Sequence, residues 1–314
     1  NTPGVNNVAV GDMSLDANTT GSSNVGMGFN ALGANTTAEY NVAIGTRTAE
    51  TNTTGTQNVA MGGQALRYNT TGDNLVALGY SALLNNTTAD ANVAIGAFSL
   101  DANTTGGGNT AVGKSSLGAN TTGNENTGIG FEACEDMTTA ELNTGIGSRA
   151  LKETTTGATN TAVGANALRN NTTGYNNVAT GKDALLDNTT GHSNVGLGTS
   201  ALANNTSAAS NSAVGHGAMF DNTTGANNTA LGYLALADNT TANANTAIGY
   251  SALRLNTTGT ENTAVGFSST AANTTGNYNT ALGKGTLEST TTGSSNTSVG
   301  TNALQNNTTA NNNT

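Results

Sequence analysis

The sequence predicts an all-β fold: a parallel β-solenoid, or β-roll, in which each 17-residue repeat makes one coil, about 18 coils in all. Three observations predict it. A glycine recurs every 17 residues from Gly11 to Gly300, giving 18 copies without insertion or deletion. The phrase before each glycine alternates as a short strand does, as in Val8-Ala9-Val10 and Thr110-Ala111-Val112, and the later Asn-Thr-Thr-Gly reads as a turn. Composition then removes the alternatives. Charged residues are 9%, aromatics 4%, and one Pro stands against 42 Gly, yet the pattern is strict where a disordered chain would be charged and irregular. Helix pairs need a repeat of about 33 residues or more, and Gly, Asn and Thr are poor helix formers.

The repeat runs Asn-Thr-Ala-(Val/Ile/Leu)-Gly-x-x-Ala-Leu-x-x-Asn-Thr-Thr-Gly-x-x, with Asn7 opening the first full copy as position 1. Position 1 is Asn throughout except Leu75, so a ladder of stacked amides is expected there. Position 2 moves between Val (Val8, Val25, Val42, Val93) and Thr (Thr110, Thr127, Thr144, Thr161), near-isosteric residues that suit a half-buried interface column. Position 4 is Val, Ile, Leu or Met in every copy but Thr180. Position 9 is Leu except at Ala49, Cys134, Met219 and Thr270. Positions 4 and 9 are the large apolar columns, and both are expected inside. Two strands per coil follow, Thr-Ala-Val and the segment around Ala-Leu. Positions 3 and 8 are always small. All 28 charged residues (9 Lys and Arg, 19 Asp and Glu) fall in positions 6, 7, 10, 11, 16 and 17, as do both His and all twelve aromatics. The eleven charge-free columns are therefore expected to be buried or tightly stacked.

At a strand spacing of ~4.8 Å, about 18 coils make a rod roughly 85–90 Å long. Residues 1–314 read as one continuous repeat array, open at both ends, with the repeat expected to continue past each. So thin a coil is also expected to bury a face against a partner, most simply copies of itself. The net charge of −10 is thinly spread without a basic patch, so nucleic acid is not an expected partner. No apolar run approaches the ~20 residues of a membrane span.

The recurring phrase Asn-Thr-Ala-Val-Gly-x-x-Ala-Leu, with its Gly turns, resembles the head repeats of trimeric autotransporter adhesins and the Asn-Thr-Gly-rich repeats of phage and virus tail fibres. The resemblance covers the whole chain. It implies a left-handed parallel β-roll assembled as a trimer, exposed at a cell surface or on a virion fibre, and binding matrix or cells. No functional residue carries over from it.

Motifs that suggest chemistry dissolve into the repeat. Gly108 to Ser115 matches the phosphate-binding G-x-x-x-x-G-K-S pattern, but Gly113 is the repeat glycine and Lys114 occupies a column held elsewhere by Asp12, Phe29 or Tyr80. No helix pattern follows it, as a phosphate loop requires. Cys134 stands in the Leu column and reads as a small interior residue. His192 and His216 lack a third ligand at fitting spacing, so no metal, cofactor or catalytic residue is assigned and no enzyme activity is expected. The Thr-Thr pair at positions 13 and 14 sits beside a turn glycine, which argues against a flat ice-binding face.

One motif stays open. Position 12 with the two residues after it forms an Asn-Thr-(Thr/Ser) acceptor for N-glycosylation in 15 copies: Asn18, Asn35, Asn52, Asn69, Asn86, Asn103, Asn120, Asn171, Asn188, Asn205, Asn222, Asn239, Asn256, Asn273 and Asn307. Met137, Thr154 and Thr290 replace the Asn elsewhere. The same residues fit a turn-capping role, and these turns are expected to face solvent. Function then reads as a structural component of an extracellular fibre or stalk. The alternative is an adhesin or tail-fibre segment that binds a cell surface through its variable columns. Aromatics clustered on adjacent coils favour the second reading, and scattered ones the first; the sequence reads as scattered.

Overall fold

The computed structural model describes residues 4–314. Its contacts divide into two units, one ending at Ala158 and the other beginning at Thr159. The first holds nine three-residue strands, β1 (Val8–Val10) to β9 (Thr144–Ile146), and the second holds nine more, β10 (Thr161–Val163) to β18 (Thr297–Val299). Within each unit every strand pairs parallel and in register with its equivalent 17 residues on. In the first unit Val8 pairs with Val25 and Val10 with Met27, and the register persists to Thr127 against Thr144. In the second it runs from Thr161 against Val178 to Thr280 against Thr297. The fold is the parallel β-solenoid that the period predicts, with one repeat per coil.

The expected second strand is absent. The segment around Ala-Leu is a run of turns, because the leucine backbone is left-handed: φ is 50° at Leu15, 51° at Leu32 and 54° at Leu66. A residue there cannot continue a strand. Its backbone groups still bond between coils, Leu15 N–H to Ala31 C=O at 3.1 Å and Ala17 N–H to Gly33 C=O at 3.1 Å. Buried main-chain groups need partners wherever they lie, and here the neighbouring coil supplies them without a strand. Elsewhere in the coil, Val25 N–H reaches Asn41 C=O at 2.8 Å and Gly28 N–H reaches Val10 C=O at 2.7 Å.

Position 4 does not lie inside as expected. Position 3, the small residue, points inward: Ala43, Ala77, Ala94 and Ala111 are fully buried. Positions 2 and 4 point outward, and Met61 (43% exposed), Ile95 (38%) and Leu231 (46%) are large apolar side chains in solvent. The cause is the thinness of the coil. The inward space beside each strand is taken by the position 9 leucine of the preceding coil: a Cβ on Gly26 would lie 3.3 Å from Leu15 Cγ, and one on Gly196 3.4 Å from Leu185 Cγ. Only Gly, Ala or Ser fits opposite a leucine at that distance. The core is thus the Leu column (Leu32, Leu66, Leu83 and Leu100 in the first unit, Leu168, Leu185, Leu202 and Leu236 in the second), with position 3 against it.

The repeat glycine is fixed by the next coil. Gly62 has φ +128°, and a Cβ there would meet Gly79 O at 2.6 Å. Both the dihedral and the contact exclude a side chain.

Candidate functional site: asparagine ladders and exposed faces

Two columns of asparagine lie inside the coil, and they account for most of its polar interior. At position 12, Nδ2 of Asn35 donates to Asn18 Oδ1 at 2.9 Å, Asn69 to Asn52 at 2.8 Å, and Asn188 to Asn171 at 2.9 Å. The second hydrogen of each amide closes its own turn on the carbonyl three residues on, as from Asn69 to Gly72 O at 3.0 Å. At position 1 the backbone N–H of Asn41 donates to Asn24 Oδ1 at 3.0 Å, and Asn41 Nδ2 reaches Gly55 O at 2.9 Å. Asn52 Nδ2 donates to that same Gly55 oxygen at 2.9 Å, so the two columns converge on one carbonyl. Leu75 accepts the ladder from below, its N–H bonding Asn58 Oδ1 at 2.9 Å, but offers no oxygen to the coil that follows.

The sequence-predicted acceptors are these position 12 residues. Asn18 to Asn273 are buried, and Asn307 is half-buried. This corrects the expectation that the whole turn faces solvent. The Asn side chain points in, the first Thr is partly covered, as at Thr36 and Thr53, and the second, such as Thr37 and Thr54, is exposed. Both amide hydrogens of Asn35 and of Asn69 are in use. The turn-capping geometry is what the fold displays. The first Thr adds a third ladder: Oγ1 of Thr53 donates to Thr70 O at 3.0 Å, and Oγ1 of Thr189 to Thr206 O at 3.0 Å.

Where the column departs from Asn, the ladder breaks. Met137 follows Asn120 and Thr290 follows Asn273, and in both cases the preceding Oδ1 is buried without a hydrogen-bond partner. Sequence reading located both substitutions but not the orphaned oxygens they create.

Cys134 lies in the interior column as expected, fully buried, with Sγ 3.9 Å from Thr127 O. Burial pushes its thiol pKa up to about 12. Lys114 follows the strand Thr110–Val112 and leads into turns rather than a helix, so the phosphate-loop match forms no anion cradle. His192 stacks on Tyr175 (4.7 Å) and His216 on Tyr233 (5.4 Å). Among the described residues no three His, Cys, Asp or Glu side chains gather to hold a metal ion.

In the first unit, Glu132 accepts from Arg149 Nε and Lys152 Nζ, both at 2.9 Å, and Lys152 also reaches Glu135 at 3.0 Å. These bonds, Lys152 first, hold the Glu132 carboxyl below its usual range and the Lys152 ammonium above its own.

Two surface features stand out. One is the outer face of each sheet, built from positions 2 and 4. It carries no charge in any coil, and from Val8 to Ile95 both positions are aliphatic in six consecutive coils. The other is aromatic and lies in the second unit. His216, Tyr233, Tyr250 and Phe267, one per coil, stack with centroids 5.4, 5.2 and 5.0 Å apart and ring planes within 17°, and the Lys284 ammonium stands 5.9 Å from the Phe267 ring. The aromatics in this stretch are therefore not scattered, contrary to the sequence expectation.

No helix among the described residues is long and apolar enough to cross a membrane. No protein-family model matches the chain, and comparison with curated proteins finds no match either. The fold is a β-solenoid of the β-roll kind by its own geometry.

Proposed function

We propose that the chain is a structural protein, a β-solenoid scaffold that associates with copies of itself through the outer face of its sheets, in an extracellular fibre or stalk. The observation that supports it is the charge-free aliphatic face of the first unit. Exposed apolar patches of this continuity mark interaction surfaces. The side chains repeat along the solenoid axis at ~4.8 Å, a period that another copy of the same chain matches in register, as identical sheets do when they interdigitate. Nine coils of three-residue strands offer a footprint on the order of 400 Å² per partner, about half of a standard protein interface. Strength therefore scales with the number of coils held in register.

Sedimentation velocity tests this reading. The chain is expected to sediment above its 30.9 kDa monomer mass at micromolar concentration and to return to that mass in the double variant Ile44→Lys, Ile95→Lys. Both residues face outward, so circular dichroism is expected to be unchanged. A wild-type chain that remains monomeric throughout refutes it.

A second reading, an adhesin or tail-fibre segment, is favoured by the aromatic stack of the second unit. In either setting, sugars carried by the chain are placed on the exposed second threonines, Thr20, Thr37 and Thr54, rather than on the buried asparagines. Peptide mass spectrometry of the natively produced protein decides between them, and hexosamine mass on Asn35 or Asn52 overturns this placement.

A further inference from the structure

Beside the aromatic stack the second unit has a groove of about 490 Å³. It arises from one coil with small side chains between two with larger ones. Positions 10 and 11 are Arg254 and Leu255, then Ala271 and Ala272, then Glu288 and Ser289, and all six line the groove. Tyr250 forms a further wall. With Tyr233 and Phe267 stacked on its two faces, Tyr250 is held in place and presents its edge to the groove. Ser251 and Ser268 add hydroxyls.

The polar groups are matched in an unusual way. Arg254 is exposed and makes no ion pair or side-chain hydrogen bond among the described residues; its charge also acts on the Asp238 carboxylate one coil back. Glu288, two coils on, holds Gln305 Nε2 at 2.7 Å through Oε2, which keeps its carboxylate in place. The backbones carrying the two charges stand about 10 Å apart, twice the strand spacing. A hydrocarbon in this groove would strip water from both charges without replacing it. The two charges of an amino acid lie too close together to meet both walls. A ring that carries both donors and acceptors at its rim and C–H groups on its face satisfies all of it: hydroxyls accept from Arg254, donate to Glu288 and exchange with the serines, while the ring face lies on Ala271, Ala272 and Leu255.

We propose that this groove is a carbohydrate site that takes one pyranose unit. The proposal does not depend on self-association, which uses a different face.

Saturation-transfer NMR on the intact chain tests it, with methyl α-D-glucopyranoside, methyl α-D-mannopyranoside, methyl β-D-N-acetylglucosaminide and methyl β-D-glucuronide as probes. The expected result is saturation transfer to the ring protons of at least one probe, lost in Ala271→Arg, which fills the groove, and lost in Arg254→Ala. Position 10 already carries Arg67, Arg169 and Arg254, so the filling variant suits the coil. Glu288→Gln, nearly isosteric, provides a second test that keeps the fold. Lys114→Ala, in the other unit, leaves the signal unchanged. Absence of transfer to every probe overturns the proposal, as does transfer that survives in both Ala271→Arg and Arg254→Ala.

Discussion

Nδ2 of Asn69 donates to Oδ1 of Asn52 at 2.8 Å, across one coil step, and both side chains are fully buried. Each such amide is satisfied twice over, once along the axis and once by its own turn. A buried polar ladder of this kind stabilises only while each member is paired. Its defect at Thr290 is therefore the place to test it. Thr290→Asn gives the orphaned oxygen of Asn273 a donor, with Asn307 next in the column. It is expected to stabilise by about 0.5–1.5 kcal/mol. The opposite change, Asn52→Ala, removes one rung and strands its neighbours, and is expected to cost on the order of 3 kcal/mol. Thermal melts of the two variants check this, and a Thr290→Asn midpoint at or below wild type counts against the ladder as a source of stability.

The Cys134 thiol is expected to react with Ellman's reagent only at the rate at which its coil opens, because burial and a pKa near 12 suppress the thiolate. The same shift has a pH signature. A thiol whose folded pKa is raised holds its proton in the native state where the unfolded chain has lost it. Its contribution is complete below the ordinary thiol pKa of 9.0 and is lost as pH rises towards about 12. Across that window stability falls by up to about 1.4 kcal/mol per pH unit. Cys134→Leu, the residue the column prefers, removes this dependence, so the two melting curves diverge above pH 9.

Thr270 is the least suitable occupant of the leucine column. Its backbone is left-handed at φ 51°, a strained setting for a β-branched residue, and its buried hydroxyl has no partner. Thr270→Leu is expected to gain about 1–3 kcal/mol from apolar burial and the removed orphan. Chemical denaturation measures it. A loss of stability would show that the interior at that coil has closed down around the smaller side chain.

Glu132 loses its contribution in acid. Its folded pKa is depressed by Lys152 and Arg149, so its contribution is present above the unfolded carboxylate value and is lost as pH falls through the folded one. Lys152, shifted upward, contributes below the ordinary lysine value and loses that contribution as pH rises through its folded pKa. Between those limits the cluster is intact. Glu132→Gln is expected to flatten the acid limb of first-unit stability, read by hydrogen exchange at Cys134 and Leu151.

The coil was legible in the sequence because the 17-residue step leaves no other way to place Val10 over Met27. Which way Val10 points was not. Burial of the larger residue is the ordinary expectation. The sign to read was the strict size limit at position 3, which marks a column pressed by Leu15 and its equivalents from one side. Leu15 itself gave no warning, since positive φ is announced by Gly or Asn and here is carried by leucine. The capping role of Asn35 was legible as one of two readings, and its amide makes the capping bond, Nδ2 to Ala38 O at 3.3 Å. The aromatic stack was present in the column order: Tyr233, Tyr250 and Phe267 stand 17 apart and so must meet once the coil is known. The groove beside them depends on the volume missing at Ala271 and Ala272, which only the neighbouring coils reveal.

The ladders also carry a direction. In each unit the asparagine amides donate from a later coil to an earlier one, as Asn205 does to Asn188, whereas the threonine hydroxyls donate from earlier to later, as Thr206 does to Thr223. A closed coil therefore leaves amide oxygens and threonine hydroxyls at its forward edge, the complement of the groups its successor brings. Every such bond spans the same 17 residues, however many coils precede it. Loop closure is thus no harder for a late coil than for an early one, and the unfavourable step is confined to the first coils that form. The chain can fold as it emerges, each finished coil serving as the template for the next, with a rate set by one repeat rather than by its length.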